Sequence, residues 1–291
     1  MRNKLIILTA ILGFCLSANA GNITKEYDLT FNGIEVSTAF DIQLIKADTH
    51  SVTIEIDEEY APYLSVNTDA GILKVRFKKL PVKMQIKKDA FKMIVRTPMI
   101  NYINLAGACK LSSNDEFSLG MNNFRAAVSG ASTISNLKIN SIDASFRISG
   151  ASKVYLDGQF SDFEILAEGG SEITFNGNAS DFHGQILSSS KFNVTGNIDE
   201  VDIEVKGASK VELNGRGVEL DADVAGASKL DAKNFPVTVA RISAKGASNV
   251  AVDAAEALKA DISGASTCKY REHAGLRMNE MVSGGGSVKK L

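Results

Sequence analysis

Tryptophan is absent from this 291-residue sequence, and only 4 prolines occur. Histidine is equally scarce: His50, His183 and His273 lie far apart, without the spacing of zinc ligands or of a catalytic triad. Lys plus Arg total 32 against 34 Asp plus Glu, so no overall excess of positive charge points to nucleic acid or to an anionic membrane. A His-based metal or catalytic site and a nucleic-acid partner are therefore not expected.

A long apolar run occurs only near the N-terminus. Arg2 and Lys4 precede the apolar residues 5–16, and Ala18-Asn19-Ala20 supplies the small residues that signal peptidase reads. The sequence predicts a signal peptide over residues 1–20 and export to the periplasm, the cell surface or the medium. No later run approaches the roughly 20 apolar residues that cross a bilayer, so no transmembrane segment is expected in the mature chain.

A triplet of small residues recurs from residue 107 onward. The first residues of successive triplets are 23, 20, 19, 19, 19, 19, 20 and 18 positions apart. Such regular spacing indicates stacked repeats. The triplets are Gly107-Ala108-Cys109, Gly130-Ala131-Ser132, Gly150-Ala151-Ser152, Gly169-Gly170-Ser171, Ser188-Ser189-Ser190, Gly207-Ala208-Ser209, Gly226-Ala227-Ser228, Gly246-Ala247-Ser248 and Gly264-Ala265-Ser266.

Apolar and polar side chains alternate within each repeat. Val201, Ile203 and Val205 alternate with polar residues before one triplet, and Val211 and Leu213 continue the alternation after it. A period of two residues is that of a β-strand. Each unit is therefore interpreted as a strand, a small-residue corner, a second strand and a polar turn. This pattern predicts an all-β fold, a parallel β-solenoid of about nine coils of about 19 residues over residues 101–291.

The triplets are explained by the geometry of such a fold. Adjacent coils lie about 4.8 Å apart, so equivalent residues form columns, and a corner column accepts only small residues. Serine hydroxyls there can bond to the corner backbone. No triplet is followed by the Lys-Ser/Thr and helix of a phosphate-binding loop. The column is therefore predicted to be a scaffold.

Two cysteines follow the predicted signal peptide. Cys109 falls in the serine column of the corner, and Cys268 falls in an inward apolar column. Eight coils of about 4.8 Å separate them by about 38 Å, which no disulfide can span. Both thiols are predicted to be free.

Residues 21–100 contain strand-like segments without 19-residue spacing. An uncovered solenoid coil presents an unpaired β-edge, so this segment is expected to be a β-rich cap at the N-terminal end. Residues 78–89 carry five lysines around Pro81. We interpret that stretch as a solvated loop in preference to an anion site.

Lysines recur three residues after the first residue of several triplets. On a solenoid they would form an outward row that either contacts an anionic glycan or keeps the surface solvated. Tyr155 lies on the same face as Lys153. The candidate ligand-binding residues are Lys153, Tyr155, Lys191, Lys210 and Lys229, and Lys110 belongs to the same row.

Four carboxylates are predicted to meet on the outer surface. Asp202 and Glu204 on one coil should lie beside Asp221 and Asp223 on the next, in a rectangle of roughly 5 by 7 Å. Four like charges at that distance require compensation. Bound Ca²⁺ would compensate the charge through oxygen ligands, and no other cofactor is expected; the sequence leaves the Ca²⁺ site open.

Two other roles fit this rectangle. Paired carboxylates on a β-helix resemble the sites of pectin-degrading enzymes, and Lys206 and Arg241 could instead neutralise the carboxylates as a salt-bridged surface. Of the three roles, the salt-bridged surface is the preferred interpretation.

Several segments carry a resemblance to a known family. They are Phe31-Asn32-Gly33-Ile34-Glu35-Val36, Ser51-Val52-Thr53-Ile54-Glu55-Ile56, Gly71-Ile72-Leu73-Lys74-Val75 and the repeated Ser-Gly-Ala-Ser-Lys-Val coils. Together they resemble the GIN domain family, also labelled auto-transporter adhesin head domains. The resemblance implies an exported, single-stranded, right-handed parallel β-helix from Gram-negative bacteria.

Repetition also bears on function, because a solenoid presents equivalent side chains at fixed spacing and so suits extended ligands. We therefore expect a non-catalytic envelope or cell-surface protein that binds a glycan or a protein partner through a β-face. One alternative is a polysaccharide lyase or hydrolase of the β-helix type, which requires a groove with converging Asp, Lys or Arg. The other is a purely structural spacer.

Overall fold

The computed structural model describes residues 21–84, 86 and 91–291. The predicted signal peptide lies outside the described residues, as does part of the lysine-rich segment 78–89. Across the described ranges, no helix is long and apolar enough to cross a membrane. The regular structure there is β-strand, apart from a 3-10 helix at Ala61–Tyr63.

The strands before residue 100 are short. They are β1 (Asn22–Tyr27), β2 (Gly33–Thr38), β3 (Asp41–Lys46), β4 (Ser51–Asp57), β5 (Leu64–Asp69), β6 (Ile72–Phe77) and β7 (Phe91–Thr97).

The strands after residue 100 include several that run through two segments of the coil. They are β8 (Tyr102–Gly107), β9 (Lys110–Ser113), β10 (Glu116–Ser118), β11 (Phe124–Val128), β12 (Thr133–Asn140), β13 (Asp143–Ile148), β14 (Lys153–Ala167), β15 (Glu172–Ile186), β16 (Lys191–Val205), β17 (Lys210–Arg216), β18 (Glu219–Val224), β19 (Lys229–Ala244), β20 (Asn249–Ile262), β21 (Thr267–Tyr270), β22 (Arg277–Val282) and β23 (Ser287–Lys290).

These strands stack in parallel, and equivalent residues of neighbouring coils pair. Val154 on β14 pairs with Ile173 on β15, and Phe163 pairs with Phe182 nineteen residues later. The predicted all-β parallel solenoid is confirmed, with about 10 turns. We call the outer surface of the strand segments that precede each corner triplet face A, and the outer surface of the segments that follow it face B.

Inward side chains fill the space between the two strand layers. Phe163, Phe175 and Phe182 are fully buried, and the rings of Phe163 and Phe175 lie 4.5 Å apart between centroids. Complete burial of such a side chain contributes about 1.5–3 kcal/mol. The alternation of strand residues therefore places the core inside each coil and leaves every second side chain outward.

The corner column meets the steric demand that the triplets predict. Gly150 has a φ of 74°, and a Cβ on it would lie 2.4 Å from the carbonyl oxygen of Gly130 on the previous coil. Ser152 is fully buried, and its hydroxyl donates to the carbonyl oxygen of Ser149 at 2.8 Å. Serine thus satisfies the corner backbone, as predicted.

The two cysteines are free and buried. Cys109 occupies the corner column, and its Sγ lies 3.4 Å from the carbonyl oxygen of Ala106. Cys268 pairs with Val250 in an inward column, where burial and the charge of Glu280 raise its pKa to about 12. The predicted absence of a disulfide between these cysteines is confirmed.

Parallel stacking also extends to the N-terminal side of residue 100. Strands β2 and β3 pair in parallel with β8 and β9, and Thr38 occupies the position of the corner glycine beside Gly107. Strands β6 and β7 pair in parallel with the opposite edges of β2 and β3. Strands β2 and β3 come first in the chain but form the second coil of the stack. Strands β6 and β7, which come later in the chain, form the outermost coil. The domain boundary at residue 100 stays a prediction.

Antiparallel strands provide the β-rich cap. Strand β5 pairs with β6, β4 pairs with β7, and β1 pairs with β4. The end of the stack is filled by a cluster of rings in which Phe77 and Phe91 lie 4.7 Å apart and Tyr60 meets Phe91 edge-on at 5.1 Å. Pairing and aromatic packing therefore protect the N-terminal edge of the solenoid.

Candidate functional site

Face A carries the predicted rectangle of carboxylates. Strands β16 and β18 align so that Asp202 pairs with Asp221 and Glu204 pairs with Asp223. All four residues are exposed or half-buried. The register and outward direction inferred from the sequence are therefore confirmed, whereas a one-residue slip would have turned these side chains into the core.

Two basic residues contact this rectangle. The Lys206 ammonium contacts the Glu204 carboxylate. The Arg241 guanidinium lies 3.1 Å from Asp221 Oδ1 and also contacts the Glu219 carboxylate. Lys206 and Arg241 are the residues expected to neutralise the cluster, and the structure brings both of them to it.

The remaining two carboxylates have weaker partners. Ser243 Oγ donates to Asp223 Oδ1 at 3.2 Å, and His183 Nδ1 lies 3.6 Å from Asp202 Oδ2. Partial burial and the neighbouring Asp202 charge raise the pKa of Asp221. Among the described residues, no group of three or more His, Cys, Asp or Glu side chains is arranged to hold a metal ion. The geometry thus fits a salt-bridged surface, and Ca²⁺ binding stays an untested prediction.

An acidic column beside the rectangle was missed by sequence reasoning. Its members pair from coil to coil and recur every 19 residues, so the repeat spacing itself was the signal that could have revealed them. They are Asp143, Asp162, Asp181, Glu200 and Glu219. Face A is consequently acidic well beyond the four predicted residues.

A groove of about 480 Å³ follows face A from Ser145 to the rectangle, where Asp202, Glu204 and Asp223 line it. Its lining includes Arg147, Glu164, His183 and Asp202. Ser145 Oγ donates to Glu164 Oε2 at 3.0 Å. The groove therefore combines carboxylates with one histidine and one arginine.

Face B carries the predicted lysine row. Lys191, Lys210 and Lys229 pair on three successive coils. Glu172 lies between Lys153 and Lys191 in the same column and forms a 3.0 Å ion pair with Lys153. The hydrogen bond and the charge of Glu172 raise the pKa of Lys153. The row is continuous over three coils and interrupted before them.

Acidic residues in the next outward column partly balance the row. Lys210 Nζ lies 3.8 Å from Glu212, and Lys229 Nζ lies 3.5 Å from Asp231. Within the part of the chain that the structure describes, no ion pair involves Lys191. Lys191, at the N-terminal end of the three-coil run, therefore has the ammonium group most available to a ligand.

Tyr155 and a ladder of amides extend face B. The Tyr155 side chain is 40% exposed beside Lys153. Asn178 Nδ2 donates to Gln159 Oε1 at 2.9 Å, and the backbone N–H of Asn197 donates to Asn178 Oδ1 at 2.9 Å. Sequence reasoning missed this ladder, although Gln159, Asn178 and Asn197 stand 19 residues apart. Face B thus offers ordered hydrogen-bonding groups beside its lysines.

Solved structures similar to this chain include three from Parabacteroides species. A "putative adhesin" from Parabacteroides merdae is 17% identical, with a TM-score of 0.53 over 94% of this chain and 97% of that one. A "putative adhesin" from Parabacteroides distasonis is 17% identical, with a TM-score of 0.47 over 93% and 97%. A "putative lipid binding protein" from the same species is 15% identical, with a TM-score of 0.43 over 94% and 98%.

Sequence comparison gives the family. No curated protein matches the chain in sequence. The profile of the family described as "Putative auto-transporter adhesin, head GIN domain" matches residues 30–177 and 164–274. The segments that carry the resemblance in the sequence lie within this span, and the matches cover most of the chain. The chain therefore belongs to the GIN domain family.

Proposed function

We propose that this chain is a non-catalytic exported protein of the cell envelope or surface that binds an extended acidic glycan along face B. The observation that carries the proposal is the alignment of Lys191, Lys210 and Lys229 on three successive coils. At about 4.8 Å per coil, these ammonium groups form a linear array. A polymer with regularly spaced carboxylates or sulfates matches an array better than a small molecule does.

The surroundings of the row support a glycan as the polymer. Tyr155 offers a partly exposed ring, and the amides of Gln159, Asn178 and Asn197 offer donors and acceptors suited to hydroxyl groups. Face A suits the same polymer less well, because carboxylates follow one another there from Asp143 to Glu219 and in the rectangle. This contrast between the two faces supports face B as the surface that binds an anionic partner.

The catalytic alternative would place its chemistry in the groove on face A, where Glu164 and Asp202 lie on either side of His183 in one column. Proton transfer would require one carboxylic acid and one carboxylate flanking a bound sugar. An acidic polymer would be repelled there, so this alternative suits a neutral polysaccharide. The spacer alternative predicts no ligand at either face.

A glycan array probed with the purified protein tests these functions. The expected result is binding to polyuronates or sulfated glycans without cleavage, lost when Lys191, Lys210 and Lys229 are replaced by Gln. Binding limited to neutral glycans, or release of shortened chains, would contradict the proposal in favour of the catalytic alternative. If the protein binds no glycan and captures no protein from envelope extracts, the result would favour the alternative of a purely structural spacer.

A further inference from the structure

One loop is far longer than the coil geometry requires. Strand β6 ends at Phe77 and β7 begins at Phe91, so 13 residues connect these two strands, whereas residues 168–171 alone connect β14 and β15 in another coil. Strands β6 and β7 form the outermost parallel coil, so residues 78–84, which directly follow β6, lie at the N-terminal end of the stack. Long loops in compact folds commonly serve a function.

The described part of this loop is anchored and carries an apolar tip. Leu80 and Met84 are partly buried against the core, and the Met84 N–H donates to the Pro81 carbonyl oxygen at 2.9 Å. The resulting turn exposes Val82, which is 97% accessible, and Ile86 is also exposed, at 41%. The partly buried Leu80 and Met84 thus anchor a turn that presents aliphatic side chains to solvent.

Positive charge surrounds that tip. Lys78 and Lys79 precede Val82, and Lys83 follows it directly. All three lysines are exposed, and none of them forms an ion pair within the described residues. No acidic residue occurs from residue 78 to residue 88, whereas acidic residues 57–59 precede the neighbouring 3-10 helix. The positive charge is therefore local to the loop of a chain whose formal net charge is -2.

We propose that the loop formed by residues 78–84 docks onto an anionic lipid bilayer, with Val82 entering the interface and Lys79 and Lys83 contacting lipid headgroups. Peripheral membrane binding combines apolar side chains that insert into the bilayer with basic side chains that contact its headgroups. Neither weak hydrophobic insertion nor charge alone anchors a protein. A soluble acidic polymer would use the lysines but would leave Val82 exposed. The apolar tip therefore favours a bilayer.

Vesicle co-sedimentation tests this proposal. Phosphatidylglycerol-containing vesicles should bind the purified protein, and pure phosphatidylcholine vesicles should not. Each lysine near an anionic surface contributes about fivefold to partitioning, so Lys79→Gln with Lys83→Gln should weaken binding about 25-fold. Val82→Ser should weaken it by about tenfold, and Lys79→Arg with Lys83→Arg should retain it.

A charge-matched control separates this site from face B. Lys191→Gln with Lys210→Gln removes the same charge elsewhere and should leave vesicle binding unchanged. Equal binding of the protein to both vesicle types, or full binding by the Lys79→Gln, Lys83→Gln variant, would overturn the proposal. Binding to dextran sulfate that depends on Lys79 and Lys83 but not on Val82, with no vesicle binding, would also overturn it. Thermal melts of each variant confirm that the fold is retained.

Discussion

The corner edge and the two outward faces are made by the same repeat but vary in different ways. At the corner, a Cβ on Gly130, Gly150 or Gly207 would lie 2.4 Å from a carbonyl oxygen of the preceding coil. On the faces, outward positions change from carboxylate to lysine to amide between coils, because solvent imposes no such limit. The corner column, which is glycine in most coils, therefore records a folding constraint, and binding properties are to be sought in the columns that vary more widely.

Two adjacent glycines give the largest expected effect within this comparison. Gly169 has a φ of 78°, and its Cβ would lie 2.7 Å from the Gly150 carbonyl oxygen, whereas the Cβ of Gly170 would have 3.9 Å to the same atom. Gly169→Ala should lower the free energy of unfolding by roughly 2 kcal/mol or more. Gly170→Ala should change it by less than about 1 kcal/mol. Urea unfolding measures both, and equal losses would contradict the steric account of the corner.

The buried serines of the corner give a smaller expected effect. Ser209 Oγ donates to the Lys206 carbonyl oxygen at 2.9 Å, whereas Ser190 Oγ is buried without a partner among the described residues. Ser209→Ala should cost about 1 kcal/mol, and Ser190→Ala should be neutral or stabilising. Melting temperatures of the two variants check this, and a larger loss for Ser190→Ala than for Ser209→Ala would contradict this account of the corner hydroxyls.

The acidic rectangle on face A gives the smallest expected effect. Because Lys206 and Arg241 already contact its carboxylates, millimolar Ca²⁺ should leave the melting temperature unchanged. Asp221→Asn with Asp223→Asn should change stability by less than about 1 kcal/mol. A calcium-dependent rise in melting temperature that this double variant abolishes would establish a metal site instead, since a ligand that binds only the folded chain stabilises it.

Sequence alone was sufficient to predict the regular part of the molecule. The spacing of the triplets predicts the coil length, and the alternation predicts the direction of each side chain. Together they predict that Asp202 lies beside Asp221 and Lys191 beside Lys210, as the strand pairing confirms. The same spacing contained the acidic column and the amide ladder, but polar residues on a strand surface are common enough that these signals were overlooked.

The N-terminal strand order could not be predicted from the repeat. Thr38 lies where other coils have glycine, and no 19-residue spacing relates β2, β6 and β8. Their order is decided by tertiary pairing and by the aromatic cluster around Phe91, which no local pattern specifies. Likewise, the partners of Asp221 depend on the position of the Arg241 side chain, which the register restricts but does not fix.

The central claim is that an acidic glycan binds along face B. Titration of two variants with polygalacturonate tests it most directly, because each variant loses the same charge from a different face. One variant replaces Lys191, Lys210 and Lys229 on face B by Gln, and the other replaces Arg125, Arg147 and Lys259, three exposed residues on face A. Three exposed charge contacts account for roughly tenfold in affinity or more. The face B variant should lose binding by that factor while the face A variant keeps it. Equal losses in both variants, or a loss confined to face A, would contradict the account.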